Sequence, residues 1–103
     1  MAVICVMYPA SADATFDFGY YMETHIPLVH RLWDGLGLRE LRVLRGCEAP
    51  DGGAPAYVAI AVLTFESMGA FKAAAARHGK EIFDDIPRFT GISPILQFSE
   101  QLG

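Results

Sequence analysis

The alternation of strand-like and helix-like stretches in this 103-residue chain predicts an α+β fold. The arrangement is ferredoxin-like β-α-β-β-α-β, a four-stranded antiparallel sheet with both helices on one face. Three observations lead there. A short apolar run, Val3 to Tyr8, is closed by Pro9. A longer run, Tyr57 to Phe65, is apolar at odd and even positions alike. Between and after them, two stretches with helical spacing, Phe16 to Gly35 and Met68 to Arg77, separate the strands in the required order.

Each element has its own local grounds. Val3 to Tyr8 reads as a strand buried on both faces. In the helix that follows, Thr15 or Asp13 is the candidate cap, and Phe18, Tyr21, His25, Leu28 and Leu32 form one stripe, with Met22 and Val29 beside it. Pro27 removes one backbone bond, to Glu23, so a bend near His25 is expected. Gly35 and Gly37 end this helix. Glu40 to Cys47 is the second strand, and EAPDGGAP is a loop turning at Asp51-Gly52-Gly53. Tyr57 to Phe65 is the third strand. Ser67 caps an alanine-rich helix in which Phe71, Ala74, Ala75 and His78 share a face and which Gly79 breaks. Glu81 to Ile86 forms a further turn stopped by Pro87, and Pro94 to Leu102 is the last strand.

Composition narrows the function. The chain is 52% hydrophobic with a mean hydropathy of +0.28. Two helices can cover only one side of the sheet, yet the third strand is apolar on both. Four such side chains left in water would forfeit ~1.5 to 3 kcal/mol each, so a homodimer packed sheet against sheet is expected. With a net charge of -4 and eight scattered Lys and Arg, no basic stripe exists for nucleic acid or an anionic membrane. No run approaches a membrane span, and the start lacks the basic segment of a signal peptide. Cys5 and Cys47 suit reduced thiols. A cytoplasmic protein is the expectation.

Candidate chemistry centres on His25, alone on an apolar face. One reading makes it a core histidine satisfied by a carbonyl or a tyrosine. The other places it in a small-molecule pocket lined by Tyr8, Tyr20, Tyr21, Trp33, Phe83 and Phe89, where imidazole can move a proton near neutral pH. The residues leave both open. Tyr21, one turn before His25, is placed to share its pocket; Tyr20, about 100° round the helix, points elsewhere. His30 is about 140° from His25, and His78 suits a helix end. Of Asp84 and Asp85, the ordinary reading is a solvated helix end. The functional reading has one of them orienting His25 at the pocket mouth. Cys5 suits filler more than a pocket group. No HxxxH, HExxH, GxGxxG or P-loop occurs, so neither a metal site nor a nucleotide cofactor is expected.

The pattern Tyr8-Pro9, Phe16-Asp17, Tyr20-Tyr21 and His25-x-Pro27-Leu28, with Thr64-Phe65 and Asp84-Asp85-Ile86-Pro87-x-Phe89-Thr90 downstream, resembles the EthD family. It spans nearly the whole chain, so residues 1–103 read as a single EthD-like domain. The resemblance implies a dimeric α+β barrel. The family name comes from a protein linked to bacterial degradation of ethyl tert-butyl ether. Relatives of the barrel include muconolactone isomerases, polyketide cyclases, fungal dehydratases and cofactor-independent quinol monooxygenases, and others bind haem. In several a pocket histidine is the acid/base, and His25 matches that position. The expectation is therefore a cofactor-free protein acting on a hydrophobic, aromatic or lactone-like molecule, with His25 moving a proton and Tyr21 and Asp85 assisting. The alternatives are a non-catalytic ligand-binding or accessory protein for a partner oxygenase, or haem binding through His25.

Overall fold

The computed structural model describes residues 1–103. Four strands, β1 (Ala2–Pro9), β2 (Leu38–Arg45), β3 (Tyr57–Phe65) and β4 (Ile95–Glu100), form one antiparallel sheet in the order β2-β3-β1-β4. The first and third strands are central and pair Ile4 with Leu63 and Val6 with Ala61. Beside β1, Leu96 of β4 lies opposite Val6. This is the ferredoxin-like topology, and β3 spans the residues its apolar run predicts.

The period-two pleat sorts the strands into two faces. Ala2, Ile4, Ala59, Ala61, Leu63 and Phe65 are buried toward the helices. Val3, Cys5, Met7, Val58, Ile60 and Val62 are on the opposite face, half-buried with no element over them. Cys5 therefore looks away from the helices and any cleft beneath them.

The first helix, α1, is continuous over 18–33 but changes pitch. It opens as α-helix at Phe18–Tyr20, widens to a π turn at Tyr21–His25, and returns to α-helix over Ile26–Trp33. The Ile26 N–H reaches back to the Tyr21 carbonyl, five residues away. Pro27 explains the widening. Its ring crowds the carbonyl four residues back and it offers no N–H, so the preceding turn opens. The expected bend is thus met by a change of pitch.

That change corrects the expected stripe. Four-residue steps advance an ideal α-helix by 400°, so positions 21, 25, 29 and 33 would drift by roughly 120°. The wider turn cancels much of this drift, and Tyr21, His25, Val29 and Trp33 are all buried. Leu28 and Leu32 are only half-buried, and Met22 is exposed. The cap differs too. Asp17, rather than Thr15 or Asp13, accepts from the Tyr20 backbone N–H at 3.0 Å.

The second helix, α2 (Met68–Asp85), begins at Ser67, whose hydroxyl accepts from the Ala70 N–H at 3.0 Å. It does not break at Gly79. A glycine inside a helix costs about 1 kcal/mol relative to alanine. Continuing the helix buries Ile82 and leads to Ile86, each worth ~1.5 to 3 kcal/mol, which outweighs that cost. His78 consequently sits mid-helix, paired with Glu81, instead of capping an end. The two helices are joined where Trp33 Nε1 donates to the Ala74 carbonyl at 3.0 Å. No helix is long and apolar enough to cross a membrane.

Candidate active site

His25 and Asp85 come from different helices and meet near one end of the sheet. Their approach depends on a staple between the segments that flank them. Phe16 and Thr90 form an isolated antiparallel bridge. The Asp17 N–H donates to the Phe89 carbonyl at 2.8 Å, and Thr90 Oγ1 donates to the Thr15 carbonyl at 2.8 Å. The start of α1 is thereby tied to the 3₁₀ turn Ile86–Arg88 and the residues just after it. The Asp17 that caps α1 also anchors it to the end of α2.

With the helices held this way, His25 Nδ1 lies 2.9 Å from Asp85 Oδ2. The other carboxylate oxygen, Oδ1, accepts from the Tyr20 hydroxyl at 2.7 Å. The Arg88 guanidinium Nε is farther from that oxygen, at 3.8 Å, on an exposed side chain. Tyr21 stacks nearly parallel on the imidazole with 5.6 Å between ring centroids, and Phe89 closes another side at 4.7 Å.

Burial pushes the His25 pKa below its ordinary value, and this prevails over the upward pull of Asp85. For Asp85, burial pushes upward, but hydrogen bonds from Tyr20 and His25 and the nearby charge of Arg88 together hold it below the usual carboxylate range. At neutral pH the pair is a neutral imidazole beside an ionised carboxylate. The carboxylate can only accept, so Nδ1 carries the proton and donates it to Asp85. Nε2 is left with its lone pair. It bonds to nothing in the chain, and no fully buried side-chain polar atom lacks a partner, so Nε2 opens on accessible space.

That space is a cleft between the helices and the inner sheet face, lined by His25 with Tyr21, Val29, Trp33, Ala61 and Phe83 among others. The space within it that the centre of a water molecule can occupy is about 40 Å³. It is a narrow slot with room for a few waters. Apart from His25 its lining is hydrophobic, with no lysine, arginine or carboxylate. Tyr21 also lines the cleft, and burial keeps its hydroxyl firmly protonated.

The residues expected at the site divide into three groups. His25, Tyr21, Trp33 and Phe83 line the cleft. Tyr8 and Phe89 lie behind it in an aromatic cluster with Phe16, where Tyr8 and Phe16 centroids are 5.2 Å apart. Asp85 and Tyr20 form the support behind the imidazole, so Tyr20 turns toward the histidine's partner and not away from it. His30 pairs with Asp34 on the exposed side of α1. Asp84 faces water with Lys80. Arg88 falls at the unspecified position of the downstream pattern, and nothing in the sequence pairs the two segments that form the staple. The nearest sequence signal is that Phe16-Asp17 and Phe89-Thr90 both belong to the patterned segments.

No group of three or more His, Cys, Asp or Glu side chains is placed to hold a metal ion. A slot this narrow also does not fit a porphyrin.

The family model for the EthD domain matches residues 10–93. The chain belongs to the EthD family. It is similar to an EthD-like protein from Ralstonia eutropha JMP134, with 37% identity, a TM-score of 0.88, and 96% of this chain and 89% of that one covered. It also resembles an EthD family protein from Bacillus halodurans C-125 at 18% identity and a TM-score of 0.71, covering 99% of each chain. An antibiotic biosynthesis monooxygenase shares the fold at 9% identity and a TM-score of 0.53, covering 100% of both chains. No curated protein matches the chain.

Proposed function

We propose that this EthD protein is a cofactor-independent acid/base catalyst for a small, uncharged, largely apolar molecule, with His25 Nε2 as the base. One observation supports this above the others: an imidazole whose Nδ1 is committed to a carboxylate presents its bare Nε2 to an apolar cleft. Such a group takes a proton from carbon next to a carbonyl, becoming imidazolium, with Asp85 stabilising the new charge at Nδ1. The Tyr21 hydroxyl, held protonated, is available to donate to the carbonyl oxygen as it gains charge. Return of the proton to another carbon of the same molecule gives an isomerisation or cyclisation. If the imidazolium instead gives that proton to a hydroxyl on the neighbouring carbon, which leaves as water while the enolate electrons form the carbon–carbon double bond, the outcome is dehydration and His25 is again neutral. A substrate carrying a carboxylate or phosphate is disfavoured, because no cation in the cleft would offset its desolvation.

The working unit in this reading is a homodimer. The accessible surface of the single chain is 6216 Å², above the roughly 5,700 Å² expected for a folded monomer of this mass. The excess fits the uncovered sheet face, where Leu44 and Ile95 are 53% and 50% exposed beside half-buried Val58, Ile60 and Val62.

The test uses a panel of small neutral aromatic ketones and lactones, with binding followed by NMR and turnover by product analysis. His25→Gln is expected to lose ~10²- to 10⁴-fold in turnover while keeping ligand affinity within a few-fold. Affinity without turnover in both wild type and variant would replace the catalytic reading with that of a binding or accessory protein. No ligand in the panel touching the cleft would overturn the substrate class.

A further inference from the structure

We propose that Tyr20 is a positioning residue: its hydroxyl pins one oxygen of Asp85 so that the other stays on His25 Nδ1, fixing the tautomer that presents Nε2 to the cleft. The proposal deepens the catalytic reading of His25, but it stands on the geometry of the support and is tested on that geometry directly.

A carboxylate held at one oxygen can still turn about its last side-chain bond. Asp85 has a competing partner in Arg88, 3.8 Å from Oδ1 on a side chain 72% exposed to water, and could swing toward it. The 2.7 Å bond from Tyr20 blocks that motion. Both oxygens then have a short partner, Oδ1 with Tyr20 and Oδ2 with His25. Two-point contact fixes the carboxylate plane as well as its position.

Tyr20 is itself immobilised at both ends. Its ring stacks on Phe89, 6.3 Å between centroids and 23° between planes. Its backbone N–H is the one that Asp17 caps. The staple that ties α1 to the residues following α2 thus also aims the Tyr20 hydroxyl. The same Phe89 ring packs against His25 on its other contacts. Tyrosine and histidine are therefore set against one rigid surface with the carboxylate between them.

The titratable and charged groups around this pair are few. Tyr20 and Tyr21 face it from α1, Tyr8 lies behind Tyr21 from β1, and Arg88 faces it from the 3₁₀ turn. Asp84 is turned outward to Lys80. Tyr20 is the group among them whose hydrogen bond reaches the oxygen of Asp85 that His25 leaves free.

The experiment is ¹⁵N NMR of the imidazole nitrogens in Tyr20→Phe, with melting temperature recorded alongside. The substitution keeps the ring that stacks on Phe89 and removes only the hydroxyl, so the fold is expected to survive. The ratio of Nδ1–H to Nε2–H tautomer is expected to fall by roughly 2- to 10-fold, the change that loss of one hydrogen bond supports. The same substitution made in Asp85→Ala, which leaves no side-chain group to pin, is expected to change the ratio no further, since Tyr20 acts through Asp85. Wild-type nitrogen shifts in Tyr20→Phe, or an equal effect in the Asp85→Ala background, would overturn the proposal. Neither readout needs a substrate, so a failure here is separate from a failure of the catalytic reading.

Discussion

His25 Nδ1 and Asp85 Oδ2 lie 2.9 Å apart although sixty positions separate them in the chain. The contact determines which ring nitrogen is basic. An asparagine at 85 has the same shape but presents an amide that can donate to Nδ1, which would move the proton to Nε2 and remove the base from the cleft. Asp85→Asn is expected to lower turnover by ~10²- to 10⁴-fold with ligand affinity retained. Imidazole ¹⁵N shifts should report Nε2–H as the main tautomer. Full activity in this variant would show that the carboxylate does not act on His25.

The pH dependence follows from the direction of the two shifts. His25 in the folded protein lies below its ordinary value near 6.5. As pH falls through that value, the unfolded chain binds a proton that the folded chain refuses, and stability declines until the folded pKa is reached. Asp85, held below the ordinary 3.8, adds a second decline below that pH, where the unfolded carboxyl is protonated and the folded one is still ionised. Melting temperature should therefore drop from pH 7 toward pH 5, and His25→Gln should flatten that part of the curve. Turnover, needing neutral imidazole, should reach half-maximum on its acid limb below pH 6.5. An acid limb above pH 7 would mean that Asp85 dominates over burial.

What the sequence makes legible follows how local each cause is. The third strand reads residue for residue because its apolar run and its boundaries are local. Ser67 is recognised as a cap for the same reason. His25 stands out as the one imidazole on an apolar face, whereas of the aromatics expected to line its pocket Tyr21, Trp33 and Phe83 reach the cleft and Tyr8 and Phe89 pack behind it. Asp85 is harder, since a carboxylate at a helix end reads as surface charge until the partner sixty positions away is known. Tyr20 is misread from helical geometry because its bond is to another element. The stripe through Leu28 and Leu32 fails because 100° spacing holds only for an unbroken α-helix. Gly79 fails because burial of Ile82 and Ile86 outweighs local propensity.

The π turn yields a prediction at Pro27. Restoring an N–H with Pro27→Ala permits the ordinary bond to the Glu23 carbonyl, so the turn at Tyr21–His25 has less reason to widen. Helical propensity improves, and the melting temperature is expected to hold or rise. The His25 ring, however, would rotate relative to Val29 and Trp33 and draw away from Asp85. Hydrogen exchange across 21–27 together with the imidazole ¹⁵N shifts would detect this. Unchanged shifts would mean that packing alone enforces the π turn.

The dimer is tested at Ile60, central on the uncovered face of β3. A glutamate there is tolerable facing water but costly when buried against a second copy with no cation opposite. Ile60→Glu is expected to convert a dimer to a monomer by light scattering at micromolar concentration. The His25 and Asp85 signals should be unaffected, because they lie on the other side of the sheet. A wild-type chain that scatters as a monomer would remove the homodimer altogether.

The cleft is tested from its floor. Ala61 is buried on β3, opposite Val6, and lines the slot below the helices. Isoleucine at this position adds three carbons into empty space. Overpacking of a filled core would cost ~1 to 3 kcal/mol, or several degrees of melting temperature in a domain of this size. Filling a real void should cost less, and a small loss would itself support the cleft. Ligands that bind wild type are expected to lose at least about tenfold in affinity, the equivalent of 1.4 kcal/mol. The His25 tautomer should stay as it is, since Asp85 and Tyr20 lie outside the slot. Undiminished binding in Ala61→Ile would place the ligand elsewhere on the surface and detach the imidazole from any substrate.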